Sequence, residues 1–418
     1  MSRQPRKPAL SSREGRRLTG GEADARIDEL RTTAVSPRST PENLDRPLDP
    51  DIRVTRHDGG SKLELLLDEG DEGPKPVSWA HVCDFRQQIG CATVRMGGIA
   101  GVGTHDEYRF RGLSRRVLEN ALRWMRREGY QTSMLYGIPC FYPKFGYATA
   151  FPDVKFAIAV RDAERVEPAG FRFVDFGPDY LNAVLRLYRK SNAGRTGPTL
   201  RDAKTWRPFR KGLHWRTKAA CRVALDKRGR AAGYFVRHEE HLTAKFLEVG
   251  VASPAVFPGI LREMARIALD QRLEKIELFL PEDDAFARFC QPLGCTKEMR
   301  FRGDGEAMVR LIHVGGAIEN AAHELARRMR RPGRLSIRTN LDAVGLTWGR
   351  GRLSAGPPGR GGPSVRMPQW ALAQMLYGCR DAASLASSGV FRASPQALGM
   401  LKEMFPVRPH FHYAVDHF

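Results

Sequence analysis

With 418 residues and an apolar fraction of 42%, the chain is long enough for two or three domains with sizeable cores. No run approaches the roughly 20 apolar residues of a membrane span, and the start, MSRQPRKPALSSREGRR, holds no apolar segment of the signal-peptide kind, so a cytoplasmic protein with no membrane partner is expected. The net charge of +21 suits an anionic partner, whether nucleic acid, a surface or a small ligand, although much of it is arginine spread along the chain. Seven cysteines (Cys83, Cys91, Cys140, Cys221, Cys290, Cys295 and Cys379) are an odd number with no CxxC pair, which argues against a disulfide framework or zinc site, and no metal is expected.

Residues 1–55 are rich in Arg, Pro, Ser and Thr, with only 22–31 resembling a short helix, and read as a basic, disordered tail. Strand-like runs at 63–67, 77–85 and 91–96 form an antiparallel meander. Residues 98–104 are a short apolar, Gly-rich strand, and 109–114 a tight basic turn. The periodicity predicts a helix over 113–127, with Val117, Leu118, Ala121, Leu122 and Met125 on one face and arginines on the other, stopped by Gly129. Strands at 131–136 and 154–160 then complete a domain over 56–164.

From Phe171 the order begins again, with a helix over 181–189, a meander at 222–225, 231–238 and 244–251, a helix over 259–271 and a strand at 275–280. Residues 165–312 therefore read as a second copy that has lost its chemistry. Ser253-Pro254-Ala255-Val256-Phe257-Pro258 occupies the loop position, and its prolines remove N–H donors. Cys290 and Cys295 stand where Tyr142 and Tyr147 stand in the first copy. Residues 313–418 differ in kind: strands at 335–339 and 343–348, a Gly/Pro loop at 351–363, a helix over 368–377 entered through proline, and a helix over 395–405 capped by Ser394 and ended by Pro406.

The turn at 109–114 stands at a helix N-terminus, where free backbone N–H groups and the positive end of the helix dipole suit a diphosphate. Seven arginines lie between Tyr108 and Glu128, against the single carboxylate Glu119. The pattern Arg109-x-x-Gly112-x-Ser114 after a strand resembles the pyrophosphate loop of the GNAT N-acetyltransferases, which prefer Gly or Ala where Ser114 stands. Alone, such a turn fits an ordinary strand-to-helix connection equally well. Phe141-Tyr142-Pro143-Lys144-Phe145-Gly146-Tyr147, however, follows the second strand at the spacing of the family's Phe-Tyr-x-x-x-Gly-Phe-like motif, and two linked motifs are much harder to obtain by accident. Residues 313–418 are similar to a sterol-carrier-protein-like domain, including the ending from Phe405-Pro406 to Asp416-x-Phe418. The whole order resembles the Eis-type branch of the family over roughly residues 60–418. The implied fold class is mixed α/β: tandem GNAT folds, the second degenerate, followed by a sterol-carrier-protein-like α+β domain.

The resemblance implies an acetyl-CoA-dependent N-acetyltransferase acting on a primary amine, whether aminoglycoside-like, a small amine or a lysine, in a ring-like homo-oligomer such as a hexamer. Phe110, Arg111, Gly112, Leu113, Ser114 and Arg115 would hold the pyrophosphate, with Arg109 adding charge. Backbone groups of Val102, Gly103 and Thr104 would pair with the pantetheine arm, and Gly137 and Ile138 would complete the cofactor wall. Tyr142 matches the family's general acid, since a phenol of pKa near ~10 protonates a thiolate of pKa near ~8.5 at little cost. Tyr147 is assigned to packing. Eis-type enzymes end on an aromatic residue whose terminal carboxylate serves as base, which here implies Phe418, with His410, His412 and His417 as substitutes. The competing reading is a basic scaffold on the same fold, bound to nucleic acid. Against it, the basic residues concentrate around a phosphate loop and lack the interleaved aromatics of a single-strand groove.

Overall fold

The computed structural model describes residues 36–68, 70, 73–214 and 216–418; the helix expected over 22–31 lies outside the described residues. The strands of the first half are β1 (Ile52–His57), β2 (Gly60–Asp68), β3 (Pro74–Ile89), β4 (Ala92–Thr104), β5 (Thr132–Gly137), β6 (Ala148–Thr149) and β7 (Asp153–Ala159). Then come β8 (Arg172–Asp175), β9 (Lys218–Leu225), β10 (Ala231–Glu239), β11 (Lys245–Val251), β12 (Lys275–Leu278), β13 (Thr296–Arg300) and β14 (Glu306–Leu311). The last four are β15 (Gly333–Arg338), β16 (Ala343–Gly349), β17 (Arg352–Gly356) and β18 (Ser364–Arg366). They form three sheets, ordered β1-β2-β3-β4-β5-β14-β6, β13-β7-β12-β11-β10-β9-β8 and β17-β16-β15-β18.

Both large sheets pass from an antiparallel meander into a parallel pair made by a helical crossover. In the first, β4 and β5 are joined through α1 (Leu113–Arg127); in the second, β11 and β12 are joined through the helix Phe257–Asp270. The apolar stripe of α1 is buried in one core with Leu63, Val82 and Ile99. The opposite face of the same sheet shares a core with the third sheet: Ile89, Val94 and Val309 pack in one cluster with Leu335, Val344 and Leu372. The first sheet is thus covered on both faces.

Four features depart from the sequence reading. First, β7 does not complete the first domain but pairs with β12 and β13 in the second sheet, while β14 returns to pair with β5 from Glu306–Gly137 to Leu311–Thr132. Alternating burial cannot reveal such an exchange, because a strand buries one face in whichever sheet it joins. Second, 91–104 is one strand rather than two. Gly97 and Gly98 continue it because neither position has room for a side chain: a Cβ would collide with Met125 at the first and lie 2.8 Å from the Phe418 ring at the second.

Third, the segment 36–55 is not a free tail. Leu44 is buried, Asp45 pairs with Arg126, Asp49 and Asp51 pair with Arg116, and β1 pairs with β2. Arginines that read as a solvated helix face therefore hold this segment down; composition shows a charge but not its partner. Fourth, the last hundred residues hold a further helix, Val314–Ala326, and part of the expected Gly/Pro loop is strand β17. No helix among the described residues is long and apolar enough to cross a membrane.

Candidate active site

β4 and β5 pair only from Met96–Thr132 to Ile99–Leu135. Beyond that point β4 bulges opposite Trp79 to His81, with Gly101 at φ +52°, and runs on to Thr104, while β5 runs on through Tyr136 and Gly137. Bulges bend the strand that carries them, and here the two strands part. Among the described residues, the facing edges of Val102, Gly103 and Thr104 on one side and Gly137 on the other have no strand partner, so β4 offers backbone groups to an extended guest.

The chain leaves β4 through the turn Asp106–Tyr108 into a loop in which Phe110 and Gly112 both take positive φ, +64° and +76°. Gly112 caps α1, and the first helical hydrogen bond runs from the Arg116 N–H to the Gly112 carbonyl. The N–H groups of Leu113, Ser114 and Arg115 therefore have no acceptor within the helix. A Cβ at Gly112 would touch nothing, so glycine is needed there for its left-handed backbone rather than for space. Arg109 pairs with Asp106 at 2.7 Å, and the Arg111 guanidinium lies 5.3 Å from the Tyr108 ring centre. Phe110 and Ile138, on either side of the wedge, are exposed. In the second sheet the matching loop is closed. The turn Pro254–Val256 runs directly into a helix with Pro258 in its first turn, and Val256 is buried against Gly233.

Tyr142 opens the turn Tyr142–Phe145 after β5. Its ring lies against Gly137, where a Cβ would come within 2.6 Å of it, and 5.0 Å from the Phe141 ring. Burial pushes the Tyr142 phenol pKa up, so it stays protonated at neutral pH. The turn is held from behind by distant residues. Asp304 accepts the Cys140 N–H at 2.5 Å, the buried Arg310 donates to the Phe145 carbonyl, and Gln369 donates to the Gly146 carbonyl at 2.6 Å. Tyr147 is buried with its hydroxyl 2.7 Å from Ser133 Oγ, a packing position.

The end of the chain packs beside the point where β4 and β5 part, on the face of the sheet opposite α1. The Phe418 ring packs on Gly98 of β4, 5.2 Å from Phe85 and 5.8 Å from Tyr136 (ring centres), and His417 lies 3.8 Å from Tyr136. His412 is 6.0 Å from Tyr136, whereas His410 packs on Phe151 with Nδ1 at the Arg408 carbonyl. Two residues before the end, Asp416 accepts from Arg201 at 3.0 Å, and Arg201 donates to both oxygens of Glu248 at 2.7 and 2.5 Å. The Tyr234 hydroxyl donates to Glu248 at 2.5 Å, and the Arg201 guanidinium lies 3.7 Å from the Tyr188 ring centre. All three charged side chains are at most 2% exposed. Sequence reasoning missed this clamp, because nothing in the spacing links residues 201, 248 and 416; the only hint is Asp416 in the closing motif.

A parallel strand pair splayed beside a basic, glycine-bearing turn at a helix N-terminus, with a tyrosine turn after the second strand, is the architecture of a GNAT-type acyltransferase. Residues 68–150, from the end of β2 past β6, match the acetyltransferase (GNAT) domain family. The chain carries such a domain, and its enzyme class is acyltransferase. A comparison with curated proteins finds no match. Solved structures share the fold over most of the chain. A probable N-acyltransferase from Enterococcus faecalis V583, described as a conserved protein of unknown function, is similar at 14% identity and TM-score 0.69, covering 86% of this chain and 90% of its own. A GCN5-related N-acetyltransferase from Kribbella flavida is similar at 18% and 0.66, covering 85% and 88%. Eis1 from Mycobacterium abscessus is similar at 17% and 0.62, covering 85% and 90%. No group of three or more His, Cys, Asp or Glu placed to hold a metal is found among the described residues.

Proposed function

We propose that the protein is an acetyl-CoA-dependent N-acetyltransferase of the Eis type, in which the first unit binds the donor and passes the acetyl group directly to a primary amine. The observation that carries this reading is the parting of β4 and β5, with the Gly112 turn following the first strand, Tyr142 packed on Gly137 of the second, and the Phe418 ring packed on Gly98 and Tyr136 where they part. The N–H groups of Leu113, Ser114 and Arg115 would take the diphosphate, with Arg109, Arg111 and Arg115 adding charge and Phe110 and Ile138 lining the approach. Val102, Gly103 and Thr104 would pair with the pantetheine arm and place an N–H at the thioester oxygen.

The amine nitrogen attacks the thioester carbon, the C–S bond breaks, and the electron pair leaves with sulfur. Tyr142 gives its phenolic proton to the thiolate. The proton lost by the amine passes to the terminal carboxylate of Phe418, directly or through water, and solvent returns a proton to Tyr142. The products are an amide and free CoA thiol.

The second unit is a degenerate copy whose loop, closed by two prolines, takes no donor. The third unit is of the sterol-carrier-protein-like kind and backs the first sheet. Support for the enzyme over a nucleic-acid scaffold comes from α1, whose Arg116 and Arg126 are held in ion pairs within the chain and are not free for a phosphate backbone. The test compares the same protein tagged at either end. One acetyl-CoA should bind per chain in both, with thiol release retained in the N-terminally tagged protein and lost in the C-terminally tagged one. Equal turnover from the two would refute the terminal-carboxylate role.

A further inference from the structure

A cavity of about 490 Å³ lies between the two large sheets, where Tyr136 and Glu306 of the first face Asp153, Glu277 and Glu298 of the second, and His412 and His417 of the tail line it as well. Two buried polar atoms there have no hydrogen-bond partner among the described residues, the Tyr136 hydroxyl and His412 Nε2. His412 Nδ1 lies 3.1 Å from the Gly197 carbonyl, which can only accept, and 3.4 Å from the Gln87 amide nitrogen, which already donates to that carbonyl at 2.8 Å; the shorter contact assigns the proton to Nδ1 and leaves Nε2 an acceptor. A buried acceptor of this kind calls for a donor, and an amine N–H is one.

The carboxylates of the walls are all engaged in ion pairs, four of them with three cations. Arg302 pairs with Asp153 at 2.9 Å and with Glu306 at 3.2 Å. Lys155 pairs with Glu277 at 3.5 Å and Glu298 at 3.0 Å, and Arg300 meets Glu298 at 3.4 Å. Every one of these carboxylates is thus met by a cation. Lys245 also lines the cavity and forms no ion pair among the described residues. A polycation entering here would find no carboxylate free to receive it, whereas an anionic group would find Lys245.

We infer that the acceptor is an amine that also carries a carboxylate, of amino-acid or short-peptide size, bound in this cavity with its nitrogen toward His412 Nε2 and its carboxylate toward Lys245. The volume suits a ligand of that size. The inference rests on the acetyl-transfer reading and goes beyond it by naming the acceptor class.

The experiment uses the full chain with acetyl-CoA and three probes: Nα-acetyl-lysine, its carboxamide, and spermidine. Thiol release is followed, and acetyl-CoA binding is measured separately by calorimetry. Nα-acetyl-lysine should exceed the carboxamide in kcat/KM by about 10-fold or more, the discrimination expected of one charge-assisted contact, and spermidine should be the poorest. Lys245→Glu should invert the order of the first two. A preference for spermidine or the carboxamide in the native protein overturns the inference whether or not the variant folds. So does an unchanged ratio in Lys245→Glu. Absence of acetyl-CoA binding would instead sink the acetyl-transfer reading beneath it.

Discussion

Replacing Asp416 by Asn tests whether the second unit acts by holding the chain end in the first unit's site. One guanidinium here faces two carboxylates, so Asp416→Asn leaves Arg201 paired with Glu248 and removes a charge rather than stranding one. The loss falls on the tail, where Arg201 contacts to the Asp416 oxygens at 3.0 to 3.2 Å become contacts to a neutral amide. A hydrogen bond to a charged group contributes ~1.5–3 kcal/mol against ~0.5–1.5 for a neutral one, so docking of the tail weakens by about 1–2 kcal/mol, roughly 5- to 30-fold in the docked-to-free ratio. Beyond Asp416 only His417 and Phe418 remain to hold the end, so little reserve absorbs that loss. Arg201→Met is the harsher control, since it leaves two buried carboxylates without their cation, about 3–5 kcal/mol.

The assay is kcat for thiol release beside the acetyl-CoA Kd from calorimetry. Asp416→Asn should lower kcat about 10-fold while the Kd stays within about twofold, a split expected when a catalytic group is displaced and donor binding is not. Combining it with deletion of Phe418 should be no worse than the deletion alone, because both act on one group. A kcat equal to the native protein's, or a Kd that worsens in step with kcat, would refute the reasoning, the second because it points to damage of the fold.

Gly112→Asp should abolish acetyl-CoA binding by placing a carboxylate at the phosphate position, whereas Gly112→Ala, in open space at φ +76°, should cost only about 1–2 kcal/mol of stability and spare measurable binding by calorimetry. Tyr142→Phe should lower kcat by about 10²-fold with acetyl-CoA affinity nearly intact, as for a lost general acid; native turnover would return Tyr142 to packing. Acidification should loosen the tail. Burial lowers the pKa of His412 and His417, and the neighbouring His412, Lys211 and His214 lower that of His417 further, while Asp416 opposes the shift of His412. The folded pKa values lie below the unfolded value of about 6.5, so stability is full above that pH and falls below it, by at most ~1.4 kcal/mol per pH unit for each histidine and only down to its folded pKa. Tm measured from pH 7 to 5 should therefore drop, and His417→Asn should flatten the curve; a flat native curve contradicts the burial of these rings.

The legible parts of the fold were those set by local chemistry. The α1 stripe, its stop at Gly129, the turn around Gly112 and the tyrosine turn each follow from residues adjacent in sequence, and the two turns follow the parting strands β4 and β5. Partners distant in sequence stayed hidden. Arg116 and Arg126 read as solvent-facing because their carboxylates, Asp49, Asp51 and Asp342, lie far away in the chain. The exchange of β7 and β14 was invisible for a related reason: pairing partners are chosen by tertiary geometry, and each strand's own pattern is the same in either sheet. Tyr136, which links the cavity to the chain end, carried no motif at all; its only sequence signal is an aromatic at the end of a buried strand.

The match to the acetyltransferase domain ends at residue 150, but the sheet that bears the site does not. The second neighbour of β5 is β14, so the edge that carries Tyr136 and Gly137 is paired on its far side by residues 306 and 307. Asp304, just before that strand, fixes Cys140 at its left-handed φ of +63° and so sets where the Tyr142 turn begins. Arg201 and Glu248, from the body of the second unit, hold Asp416 and thereby the last two residues. A unit with no open loop for a donor still supplies the site with a strand, a brace and an anchor. Each contribution depends on geometry rather than on binding chemistry. What these residues need for it is their strand order and their buried charges.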